Sequence, residues 1–343
     1  MRHTTVAALT VAGLGVALAP AAAAQPPAEE LAAFTDERID ESSGLVDLGE
    51  VAVTVNDSGD DAIVYVVDLA TGDTVGTTAF ADAVVDVEAL APGGEVDGEP
   101  TVWVGDIGDN AGRRPDIRLY RVPVGRGDRR VRAPAYRLVY PDRAQDAETL
   151  LVHPRTGRVY VVTKSLFGGT VYVAPKQLRT DRLNRLRPVT RVGGFLTDGA
   201  FWPDGRHLVL RDYTEASLLT FPGFERVGRI ALPEQEQGEA VAVGADGRVL
   251  VSTEGRHSPI HEVRLPPALA AAVAPEPEPA PESDPEAAAD SDADADAEPD
   301  AEATPEPEPD PTTDFLSGPT LPIALTALGL LLVWLVLRRP RSG

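Results

Sequence analysis

The chain has 343 residues, with 54 Asp+Glu against 31 Lys+Arg and no cysteine. A formal net charge of −23 argues against a nucleic-acid partner, because neutralising phosphates needs clustered Lys and Arg. Zero Cys excludes disulfides, thiolate zinc sites, Fe–S clusters and cysteine catalysis.

Arg2 and His3 open the chain, an apolar run over residues 5–19 follows, and Ala22, Ala23 and Ala24 precede Gln25. This order predicts a signal peptide over 1–24 with a small-residue cleavage site. Residues 25–30 form a short linker.

The body, residues 31–268, holds 36 acidic and 27 basic residues, an ordinary balance. It carries short β-branched runs punctuated by Gly, Asp and Pro, the pattern of an all-β domain. One motif recurs: a polar or acidic residue, a small one, then an apolar one. It stands as ESSGL (41–45), DVEAL (86–90), DAETL (146–150), TDGAF (197–201) and GEAVA (238–242), roughly 40 to 60 residues apart. Each copy is followed by a run ending in polar residues: VAVTVNDSG, VWVGDIGDN, VYVVTKS, HLVLRDYT and VLVSTEG. A third strand follows each, and a fourth follows all but the last. Four antiparallel strands per repeat make a propeller blade. The reading is an all-β β-propeller of five four-stranded blades, with a sixth, degenerate blade left open. Residues 125–132 form an Arg-rich loop that lengthens the second repeat. Residues 31–39 supply the strand the last blade lacks, closing the ring and removing its edges.

Residues 269–318 read as a disordered acidic stalk, since 271–314 contain 16 acidic residues and no basic one. An uncharged apolar stretch predicts a transmembrane helix over 319–337. Arg338, Arg339 and Arg341 then place residues 338–343 in the cytoplasm by the positive-inside rule. The expected location is therefore the cell membrane, single-pass, with the body extracellular and the membrane itself a partner through one C-terminal helix.

In a propeller the inner strand of each blade lines a central channel. The recurring motif opens that strand, and the polar ends of the second strands meet it at the same mouth. The mouth thus gathers Glu41, Asn56, Asp57, Asp86, Glu88, Asp106 and Asp109. Asn110, Asp146, Glu148, Asp198, Asp212, Glu239 and Glu254 join them, with Lys164 and Arg211 as nearby cations. Packed carboxylates repel unless protonated, paired or bridged by a cation, and hard divalent ions take oxygen ligands. Two readings stay open: a Ca2+ or other divalent-metal site, or acidic residues that cap strands and turns. The stretch from Asp106 to Asn110 is the most distinctive, because its glycines permit positive φ and a tight convergence of polar groups. Gly-x-Ser-x-Gly, His-Glu-x-x-His and Walker patterns are absent, and nothing indicates an organic cofactor. His153, His207, His257 and His261 lack ligand spacing.

ESSGL with NDSG, DVEAL, GDIGDN, DAETLLVHPRTGRVYVVTK, TDGAFWPDG and QGEAVA resemble secreted, often membrane-anchored bacterial β-propeller proteins with WD-like repeats. These are similar to the superfamily of gluconolactonases, esterase-like phytases and strictosidine-synthase-like proteins. The resemblance covers residues 31–268. It implies a channel metal that polarises a lactone or phosphoester. By motif position its ligands would be Glu88, Asp106, Asp109, Asn110, Asp146 and Glu148. Asn56, Asp57, Lys164, Arg211, Asp212, Glu239 and Glu254 would meet the ligand. The expected function is a surface-displayed binding module for a protein, glycan or small molecule. The alternative is a metal-dependent extracellular hydrolase of a lactone or phosphate ester, with Glu88 or Glu148 as base.

Overall fold

A computed structural model describes residues 28–275 apart from 58 and 60. The chain opens with β1 (Ala28–Ala33) and then runs through five sheets. The first blade is β2 (Ser42–Asp47), β3 (Val51–Asn56), β4 (Ile63–Asp68) and β5 (Thr74–Ala79). The second is β6 (Val87–Val96), β7 (Glu99–Asp106), β8 (Ile117–Pro123) and, after β9 (Gly127–Arg130), β10 (Ala135–Val139). The third is β11 (Ala147–Val152), β12 (Val159–Thr163), β13 (Gly169–Val173) and, after β14 (Asn184–Arg185), β15 (Arg187–Val192). The fourth is β16 (Asp198–Phe201), β17 (His207–Arg211), β18 (Glu215–Thr220) and β19 (Arg226–Ala231). The fifth is β20 (Gly238–Val243), β21 (Val249–Thr253), β22 (Pro259–Val263) and β1, which pairs antiparallel with β22. The N-terminal strand thus completes the last blade, over residues 28–33 rather than the expected 31–39, so the end of the expected linker is strand; the inner strands β2, β6, β11, β16 and β20 neighbour one another in a closed ring.

The apolar runs follow from this packing. Each blade is covered on both faces, so its strands need not alternate strictly between apolar and polar. Five buried clusters lie one at each blade–blade interface. Val53, Val64, Leu90 and Val104 join the first blade to the second. Ala52, Val67, Leu250 and Ile260 join the fifth to the first.

The Arg-rich loop is partly a strand. Within it β9 pairs parallel with β5 of the preceding blade, and β14 likewise reaches back to β10. In each case a later blade covers the outer edge of the one before it, where backbone N–H and C=O groups would otherwise stand unpaired. The body continues past residue 268 as α1 (Pro267–Ala272), whose Leu269 packs with Ile230 and Val263 in the core between the fourth and fifth blades.

The expected membrane attachment is corrected. Among the described residues no helix is long and apolar enough to cross a membrane, and the one helix there has six residues. This stands against a single-pass protein held in the membrane by a C-terminal helix. The segments read as signal peptide (1–24), transmembrane helix (319–337) and cytoplasmic tail (338–343), and most of the acidic stretch, lie outside the described residues.

Candidate functional site

The ladder between the first two strands of a blade carries the geometry of the channel mouth. In four blades the pairing slips at the second residue of the inner strand. Ser42 and Gly44 pair with consecutive residues of β3, which leaves Ser43 extra. The same slip leaves Glu88 extra in β6 and Glu148 extra in β11. In β20 it falls across Glu239 and Ala240. Such bulges re-aim a side chain out of the regular pleat. Here they act on three glutamates and a serine in one tier of the ring. The fourth blade has no bulge, and Gly199 occupies the corresponding position.

Glu88, Glu148 and Glu239 are 2%, 5% and 4% exposed. Burial pushes Glu88 well above the usual carboxylate range, and the charges of Glu148, Asp57 and Asp86 add to it. Burial also raises Glu148 and Glu239, against the pull of Lys164. Burial alone would lower Lys164. The attraction of Glu148 and Glu239 outweighs it and holds the ammonium above the ordinary lysine value.

Lys164 follows the end of β12. Its ammonium ion-pairs with Glu148, donates to the Tyr213 hydroxyl at 2.9 Å and lies 4.9 Å from the centre of the Phe195 ring. One ammonium neutralises one of three glutamates. The rest of the charge must be met by protons or by another cation.

On the other side of the mouth Asp57, Asp86 and Glu88 each bring a carboxylate oxygen within 4.8 Å of the others. Glu88 Oε2 accepts from Ser43 Oγ at 3.2 Å. Its Oε1 is buried with no hydrogen-bond partner among the described residues. Gly108 is packed against this group. A Cβ there would come within 2.5 Å of Asp86 Oδ2 and 2.7 Å of the Glu88 Cγ. Its glycine is required by close approach rather than by positive φ, which Gly108 does not adopt. All-oxygen donors at this spacing suit a hard divalent cation.

The other residues singled out in the sequence are placed as follows. Asp106 is fully buried, accepts the Asp86 backbone N–H at 3.0 Å and ion-pairs with Arg114 at 2.7 Å. Asp109 caps its own loop by accepting the backbone N–H groups of Arg113 and Arg114. Asp146 accepts the Asp109 backbone N–H at 2.8 Å and so ties the second blade to the third. Asn110 is exposed. Asn56 accepts the Glu41 backbone N–H, and Asp212 caps the turn before β18.

Arg211 is fully buried and donates to the backbone carbonyls of Asp212, Ala240 and Ser252 and to Gln235. It clasps the fourth blade to the fifth. Burial lowers its pKa to about 10, which leaves it charged at neutral pH. Glu254 donates its backbone N–H to Gln237. Glu88 therefore converges with Asp57 and Asp86, Glu148 with Lys164, and Asp106, Asp109 and Asp146 are held in an adjoining loop network that meets the first group at the Asp86 backbone.

Tyr213, Phe195 and Ser43 were not singled out in the sequence. Tyr213 and Phe195 lie in loops outside the recurring motif. Ser43 sits inside the ESSGL copy, where its place in the glutamate tier was available from motif alignment alone. Fold and mouth together define a five-bladed β-propeller whose channel entrance gathers buried carboxylates around Lys164. No protein-family model matches the chain, and no curated protein matches it.

Proposed function

We propose that the protein is a ligand-binding propeller whose channel mouth is organised by one hard divalent cation, with Asp57, Asp86 and Glu88 as its protein ligands. The observation that carries this reading is that Asp57, Asp86 and Glu88 each bring a carboxylate oxygen within 4.8 Å of the others, in a group where Glu88 also has a buried Oε1 with no hydrogen-bond partner among the described residues. Three carboxylates leave a six- to eight-coordinate ion open on the channel side. The ligand class is therefore oxygen-rich: a small molecule, a glycan or an acidic group of a protein.

The test is thermal unfolding of the full chain, stripped with EDTA and titrated with calcium. Binding at 100 times the dissociation constant adds about 2.7 kcal/mol, roughly 5–11 °C for a domain of this size. Glu88→Gln should remove the saturable rise. A flat response of the parent protein to calcium, magnesium, manganese and zinc would refute the reading.

Lys164 and Tyr213 favour one second reading, hydrolysis of a lactone or phosphate ester, as the resemblance to gluconolactonases and esterase-like phytases implies. An ammonium and a hydroxyl next to glutamates whose pKa values burial raises form an acid–base set. Turnover of a lactone or phosphoester panel, lost in Tyr213→Phe, would support it. No turnover with any of the four metals would remove it.

A further inference from the structure

The inner strands run from the acidic mouth to the opposite end of the channel, where a second cavity of about 470 Å³ opens among the ends of all five. From Glu148 to Val152 is four strand residues, about 13 Å, so this cavity is remote from the carboxylates. Its volume lies in the range of small-molecule sites. Every inner strand lines its wall with apolar residues, among them Leu45, Leu90, Leu150, Phe201 and Val243. Ala200 and Ala242 are the small residues of the fourth and fifth strands in that lining.

The polar groups at its rim differ in sign from those at the mouth. Asp47 is neutralised by a two-pronged ion pair with Arg248, at 2.7 and 2.9 Å. His153 Nδ1 accepts the backbone N–H groups of Arg155 and Thr156 at 3.1 and 3.3 Å. The neutral ring therefore carries its proton on Nε2 and offers a donor. Arg121 also lines the cavity. Its guanidinium donates to Thr101 Oγ1 and the Gly93 carbonyl and lies 5.8 Å from the Trp103 ring centre. Those two contacts leave further N–H donors of its five. The rim thus offers donors and one positive charge, above an apolar wall.

We propose that this cavity is a binding site for a small amphiphilic carboxylate, its apolar body among the inner-strand ends and its carboxylate on Arg121. The site is independent of the cation at the mouth. Decanoate, and decanol as its neutral counterpart, serve as probes, and fluorescence of Trp103 at the cavity wall serves as readout, with the full chain in EDTA. Decanoate should bind saturably at one equivalent, and decanol about tenfold or more weaker, the size of a lost charged hydrogen bond. Arg121→Met should bring decanoate down to decanol. Ala200→Phe, which fills the cavity, should abolish both, with Ala242→Leu as the milder variant if the first does not fold. Glu88→Gln should change neither.

A titration of the parent protein that does not saturate below the probe's micelle concentration would overturn the proposal. So would binding that survives in a folded cavity-filled variant, or binding of decanol as tight as that of decanoate.

Discussion

Replacing Lys164 by Met tests the electrostatic account of the channel mouth without any bound ion. Both side chains are buried, so the change leaves a buried glutamate without its counter-charge and Tyr213 without its donor. Breaking a buried pair from one side costs about 3–5 kcal/mol. For a domain of this size that is roughly 6–20 °C in Tm. The loss should be recovered in large part by Glu148→Gln in the same chain, because removing both partners leaves no orphaned charge. Thermal and urea unfolding of the parent, both single variants and the double variant in EDTA form the cycle that measures this. A single-variant loss below about 1 kcal/mol, the size of an exposed pair, would refute the buried-pair account. Equal losses in the single and double variants would do the same.

Three further outcomes are expected. Gly108→Ala puts a methyl 2.5 Å from Asp86 Oδ2; it should abolish calcium stabilisation and, because overpacking a buried site costs about 1–3 kcal/mol, also lower the EDTA-form Tm, while circular dichroism stays close to the parent. Arg211→Met removes donors to three carbonyls at the seam between the fourth and fifth blades and should cost several kcal/mol in urea unfolding, with a loss under 1 kcal/mol contradicting the clasp. Stability without metal should peak near pH 4–5. Burial raises Glu148, Glu239 and Asp198 in the folded state, so their contribution is full below the unfolded values and falls as pH rises through the folded ones. At Asp116 and Asp204, burial is outweighed by Arg137 and by His207 and backbone donors, so their contribution is lost as pH drops below about 4. Urea midpoints from pH 3 to 8 check both arms, and a midpoint rising steadily to pH 8 in EDTA would contradict the first.

The architecture was legible because it is periodic. Each blade buries both faces, so its strands read as β-branched runs, and repetition of ESSGL, DVEAL, DAETL, TDGAF and GEAVA marks the inner strand of every blade. The closing role of the N-terminal strand followed from counting strands, since the last repeat lacks one. The strands inserted from later blades, β9 and β14, were not legible. A four- or two-residue segment in a polar loop becomes a strand only when a neighbouring edge presents its unpaired backbone.

The site was legible in composition but not in grouping. The motif placed Glu88, Glu148 and Glu239 at the channel, and that placement is local. Which of the acids face one another depends on a one-residue slip in the ladder, and a slip leaves no mark in residue type. Asp106, Asp109 and Asp146 belong to the same acidic vocabulary as Glu88, yet backbone N–H groups and Arg114 engage them. Sequence determined the number of carboxylates brought to the mouth, because strand starts recur with the repeat. Tertiary structure alone decided which met a donor and which were gathered beside other carboxylates, because each partner comes from another blade or from a loop outside the repeat.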